Sequence, residues 1–108
     1  VGNVFCPYTQ IGPNVVIGNN NTFNNKSSIG HNSIIGDNNM FCPNMGLSGY
    51  TVVGNSNFFS LNVVTVPNIK VGNNNVIAPN MVIEKDIESD SVFFHRFKEV
   101  VLAIPKQE

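Results

Sequence analysis

Imidazoles and thiols are few in this sequence: His31, His95, Cys6 and Cys42. Imidazole titrates close to working pH and suits general-base work. His31 stands in SSIGHNSIIGDNN, a stretch that otherwise repeats small, apolar and Asn residues. His95 lies in the unlike context of FFHRF and reads as a tail residue with no motif around it. A three-histidine zinc centre needs one more ligand than two histidines supply. The cysteines are too few for a disulfide framework. They read as free thiols, which fits a reducing cytoplasm.

Other classes fall away on bulk properties. The chain has 108 residues, enough for one ordinary domain. It carries 12% charged residues and a formal net charge of −1. That leaves no electrostatic footprint for nucleic acid or an anionic membrane. No run of eighteen apolar residues would span a bilayer.

The elements that must position His31 are visible as a repeat. From Phe5 the chain divides into fourteen hexads: FCPYTQ, IGPNVV, IGNNNT, FNNKSS, IGHNSI, IGDNNM, FCPNMG, LSGYTV, VGNSNF, FSLNVV, TVPNIK, VGNNNV, IAPNMV and IEKDIE. The first position is aliphatic or Phe in thirteen, with Thr65 the exception; the second is Gly in six and the fourth is Asn in nine. The first residue points inward. Gly at the second lets backbone pass close by. Asn at the fourth fits a corner because it tolerates the left-handed conformation. A hexad is therefore a short strand plus a corner, and three hexads close a triangular coil.

The coil period is separately visible. Ile17, Ile35, Val53 and Val71 recur every 18 residues, each before a Gly. Phe5, Phe23, Phe41, Phe59 and Ile77 mark a second face; Ile11, Ile29, Leu47, Thr65 and Ile83 mark a third. Asn21, Asn39, Asn57 and Asn75 form a column at the fifth position. Stacked amides bonding coil to coil explain that column, as in other cross-β stacks; surface solubility is the other reading. Two coils separate Cys6 from Cys42, about 9.6 Å at roughly 4.8 Å per layer, beyond the roughly 7 Å limit for a disulfide.

The hexads over residues 5–88 resemble the hexapeptide-repeat, left-handed parallel β-helix. The left-handed sense comes from that resemblance, since the usual crossover preference is right-handed. Within it, GHNSIIGDN, LSGYTVVGN and IAPNMVIEKDI resemble sialic-acid O-acetyltransferases and bacterial amino-sugar N-acetyltransferases. The resemblance implies an all-β solenoid, here over residues 1–88, and a homotrimer; beyond Ile87 the hexad frame breaks, and residues 89–108 read as a C-terminal cap or docking segment. It implies acetyl-CoA as co-substrate and a sugar or nucleotide-linked sugar as acceptor, and it needs no metal. His31 matches the catalytic base, and the Gly49 amide is the candidate oxyanion donor. Met40, Leu61 and Pro79 match cofactor contacts, and Lys70, Lys85, Arg96 and Lys98 are candidates for the phosphates. Two departures stand out: Gly30 occupies the position of an acidic residue that orients the base, and Met40 that of a second His. Asn32 and Asp37 read as corner residues.

The ends carry two expectations. Val1 begins inside a hexad, so an upstream domain or a neighbouring chain is expected over the first coil, whose open strand edges are otherwise a liability. Phe93, Phe97, Val100, Val101 and Ile104 fall near helical spacing and Pro105 stops it. The alternative to an enzyme is a scaffold or oligomerisation module. An ice-binding face is disfavoured because Thr9, Thr22, Thr51 and Thr65 make no ladder.

Overall fold

The computed structural model describes residues 1–94 and 102–105. Its elements are fifteen two-residue strands: β1 (Val4–Phe5), β2 (Gln10–Ile11), β3 (Val16–Ile17), β4 (Thr22–Phe23), β5 (Ser28–Ile29), β6 (Ile34–Ile35), β7 (Met40–Phe41), β8 (Gly46–Leu47), β9 (Val52–Val53), β10 (Phe58–Phe59), β11 (Val64–Thr65), β12 (Lys70–Val71), β13 (Val76–Ile77), β14 (Val82–Ile83) and β15 (Val92–Phe93). Every third strand pairs in parallel as far as β14, and β15 pairs in parallel with β13. One sheet is β1-β4-β7-β10-β13-β15, the second is β2-β5-β8-β11-β14 and the third is β3-β6-β9-β12. The result is a three-sided parallel β-helix of about five coils, matching the left-handed parallel β-helix in period, pairing and section. Among the described residues no helix is long and apolar enough to cross a membrane.

The registers follow the 18-residue period. Ile17 pairs with Ile35, Ile35 with Val53, and Val53 with Val71. The second residue of most strands points into the prism. Phe23, Phe41 and Phe59 are fully buried and stack with ring centroids 4.8 and 4.9 Å apart. Each such ring contributes about 2–3 kcal/mol by area removed from water. In-register stacking of like residues fills the prism.

Corners explain the fourth position of the hexad. Residues 8, 14, 20 and onward by sixes to 80 all have positive φ, between 57° and 65°. Nine of the thirteen are Asn, the residue that enters this region most readily among those with a side chain. The second-position Gly has a different cause. A Cβ on Gly36 would stand 2.6 Å from the Gly54 carbonyl oxygen, and one on Gly54 would stand 2.7 Å from that of Gly72. Adjacent coils approach too closely there for a side chain.

The Asn column is a ladder. Asn39 N and Nδ2 both donate to Asn21 Oδ1, at 2.9 and 3.0 Å. The same pair of bonds joins Asn57 to Asn39 and Asn75 to Asn57. Each Nδ2 also reaches a Gly carbonyl, from Asn21 to Gly36, Asn39 to Gly54 and Asn57 to Gly72. These amides are almost fully buried, so the ladder satisfies groups that water cannot reach.

One expectation is corrected. The fourteenth hexad is not complete, because Ile87 pairs with Val71 and Phe93 with Ile77, each 16 residues on. The corner at Glu84–Asp86 is two residues short, and Asp86 Oδ1 accepts from Lys70 N at 2.8 Å. The repeat then resumes, and Phe93, expected on a terminal helical face, lies in β15. Phe97, Val100 and Val101 lie outside the described residues, as do His95, Arg96 and Lys98.

Candidate active site

The prism has three edges, and their chemistry differs. The edge after the third sheet carries Asn19, Asp37, Asn55, Asn73 and Ser89. There the backbone N–H of each donates to the side chain one coil on: Asn19 to Asp37, Asp37 to Asn55, Asn55 to Asn73 and Asn73 to Ser89. Asp37 is therefore a corner ligand for backbone. The edge between the second and third sheets carries Pro13, His31, Gly49 and Pro67 at the same position. None of these offers a short acceptor, and the N–H of Gly49 has no hydrogen-bond partner among the described residues.

His31 occupies that gap. It is exposed, with its imidazole directly over Gly49: a Cβ on Gly49 would lie 2.6 Å from His31 Nε2. The ring's other nitrogen, Nδ1, sits 3.1 Å from Asn32 Oδ1. With the amide oxygen as acceptor, Nδ1 carries the proton and Nε2 keeps its lone pair, the state a general base needs. Tyr50 closes a third side, edge-on at 5.3 Å and 88°, and its N–H donates to the His31 carbonyl at 2.9 Å. Gly49 is buried beneath the ring. Its unmatched N–H is unusual for a buried backbone group.

Sequence reasoning left Asn32 as a corner residue. Its φ of 60° makes it one, and its side chain also holds the ring. That second role was signalled only by adjacency to His31. Tyr50 was missed. It is an aromatic residue at a corner with φ of 58°, and a bulky residue in that region is uncommon.

The remaining candidates lie elsewhere. Met40 is on the outer face of the first sheet, beside Phe58 in register. Leu61 and Pro79 are exposed, stacked one coil apart on the edge between the first and second sheets. A single chain therefore brings His31 to Gly49 but not to Met40, Leu61 or Pro79. Lys70 points outward from β12. Lys85 lines an open groove of about 520 Å³ with Asn80, Val82, Glu84 and Phe93. Both cysteines are free, and burial pushes the Cys42 thiol up.

No family model and no curated protein matches the chain. Solved structures do. Serine acetyltransferase isoform 3 from Entamoeba histolytica, in complex with cysteine, matches with a TM-score of 0.74 at 24% identity, over 90% of this chain and 37% of that one. The shared feature is the fold. A point mutant of perosamine N-acetyltransferase from Caulobacter crescentus, in complex with CoA and GDP-perosamine, matches with a TM-score of 0.59 at 19% identity, over 85% of this chain and 52% of that one. WeeI from Acinetobacter baumannii AYE matches with a TM-score of 0.63 at 17% identity, over 85% and 51%. The chain thus spans between about a third and a half of the length of these structures.

Proposed function

We propose that this β-helix is part of an acetyltransferase that moves an acetyl group from acetyl-CoA to an amine or hydroxyl of a sugar, a nucleotide-linked sugar in particular, in the cytoplasm. The observation that carries the reading is the His31 corner, with an exposed imidazole tethered at Nδ1 over an unmatched backbone donor. His31 Nε2 takes the proton of the acceptor as its nitrogen or oxygen attacks the thioester carbonyl. The Gly49 N–H is the donor that a developing oxyanion requires. The carbon–sulfur bond then breaks, and the CoA thiolate takes its proton from the imidazolium.

The placement of the other candidates adds an oligomer to this reading. His31 and Leu61 stand on different edges, so one coenzyme meets both only in a groove between two copies of the chain. Closed rotational symmetry then gives one such groove per edge pair, as in a homotrimer. Two of the solved structures with this fold contain CoA and GDP-perosamine, which supports the choice of co-substrate and acceptor.

The test is release of free CoA from acetyl-CoA over a panel of amino-sugar and sugar nucleotides. His31→Ala is expected to lower kcat by about a hundred- to ten-thousand-fold, the usual contribution of a general base. Release that survives the substitution overturns the assignment. If the chain neither releases nor binds CoA, the scaffold alternative replaces the enzyme.

A further inference from the structure

Thr65 is the one first-position residue that is neither aliphatic nor aromatic, and it faces into the prism with 4% exposure. It lies one coil beyond Leu47, in the column beneath the His31–Gly49 edge. In that column the second-position N–H normally donates to the first-position carbonyl of the next coil. Gly12 donates to Ile29 at 2.8 Å, Gly30 to Leu47 at 2.7 Å and Val66 to Ile83 at 3.0 Å. Ser48 breaks the series. Its N–H goes to Thr65 Oγ1 at 3.1 Å, and the Thr65 carbonyl takes Ser48 Oγ instead, at 2.6 Å. The strand register records the same break: β8 and β11 pair only at Gly46 and Val64, whereas β5 and β8 pair at two positions.

The diverted rung is closed by a third hydroxyl. Thr51 Oγ1 donates to the Ser48 carbonyl at 2.7 Å and lies 3.2 Å from Thr65 Oγ1. With the Thr51 proton used on Ser48, the Thr65 hydroxyl donates to Thr51, and every group in the ring is satisfied. The Ser48 N–H and the Ser48 carbonyl, the two groups that lead into Gly49, are thereby held by side-chain hydroxyls. A Cβ on Gly49 would meet His31 Nε2 at 2.6 Å, so the room above this residue is the room the ring occupies, and a shift of its backbone is a shift of the ring's floor.

We infer that Thr65, through Ser48, is a positioning residue that sets the Gly49 N–H and the His31 ring for acyl transfer. The inference rests on the acetyltransferase reading for its catalytic meaning and on the broken rung for its geometry. Thr65→Val keeps the shape, removes the hydroxyl and lets Ser48 N–H return to the carbonyl at position 65. Thr65→Ser keeps the hydroxyl. Ser48→Ala removes the other arm and serves if the valine variant does not fold.

The first readout is the Gly49 amide resonance and the His31 ring nitrogen resonances of the intact chain. Both are expected to move in Thr65→Val and to return in Thr65→Ser. No movement in the valine and alanine variants overturns the inference, whatever the activity. The second readout is turnover. The valine variant is expected to lose about tenfold or more in kcat with the acetyl-CoA KM within about threefold of the parent, and unfolding is expected to be no easier. Resonances that move beside an unchanged, His31-dependent kcat also overturn it. Turnover in the parent chain that does not depend on His31 removes the catalytic reading alone, and the resonances still decide whether Thr65 positions Gly49.

Discussion

At the scale of single residues, His31 is held by what its neighbours lack. Gly49 has no side chain, Gly30 has no room for one, and neither proline in the column has an N–H. Gly49→Ala tests this. Its Cβ would lie 2.6 Å from His31 Nε2, and the flexible ring must swing aside. Misplacing a catalytic group by about 1 Å costs about a hundredfold, so kcat should fall by that order while the melting temperature changes little. Equal activity in the alanine variant would mean that the ring does not work from this position. His31 itself was legible as a candidate because it breaks the repeat. The Asn32 contact to Nδ1 was not, because a corner Asn is already explained by its backbone conformation, and only coordinates show where the amide points.

At the scale of the element, a two-residue strand makes too few bonds to persist alone. Each coil persists because its neighbours complete it. The Asn ladder is the buried part of that arrangement, and Asn39→Leu removes its middle. The substitution orphans Asn57 N–H and the Gly54 carbonyl, which Asn39 now satisfies. At about 1–3 kcal/mol per buried group left unpaired, the loss should be about 2–6 kcal/mol in urea unfolding. A loss below about 1 kcal/mol would mean that water replaces the amide and the ladder is not structural. The column itself was visible as a spacing of 18. The shortened corner at Glu84–Asp86 was not, because EKDI keeps an apolar residue near the expected place. Asp86 reaching back to Lys70 N decides the count there.

At the scale of the whole molecule, the candidates divide between edges of the prism. His31 and Gly49 share one, Leu61 and Pro79 another, and Met40 the face beside the second. A site assembled between copies predicts complementation. Chains carrying His31→Ala, mixed equally with chains carrying Leu61→Asp, should regain about a quarter of parental turnover by random assortment around a closed ring. Neither variant alone should approach that turnover. A mixture no more active than its components would place the whole site within one chain, or place Leu61 outside it.

The amino-acid order alone determined the solenoid. A six-residue rhythm with an inward apolar residue and a left-handed Asn corner has one economical solution, three strands to a coil, because each position carries its own steric reason. Where His31 stands along the chain followed from the same rhythm. Tertiary structure decided what that rhythm averages out. It placed the candidate residues on separate edges, bent the imidazole onto Asn32, and diverted one rung through Thr65. Those outcomes depend on where individual side chains point, on contacts between neighbouring coils, and on donors left without acceptors. A repeat predicts what every coil shares, whereas a site is made where one coil departs from the others.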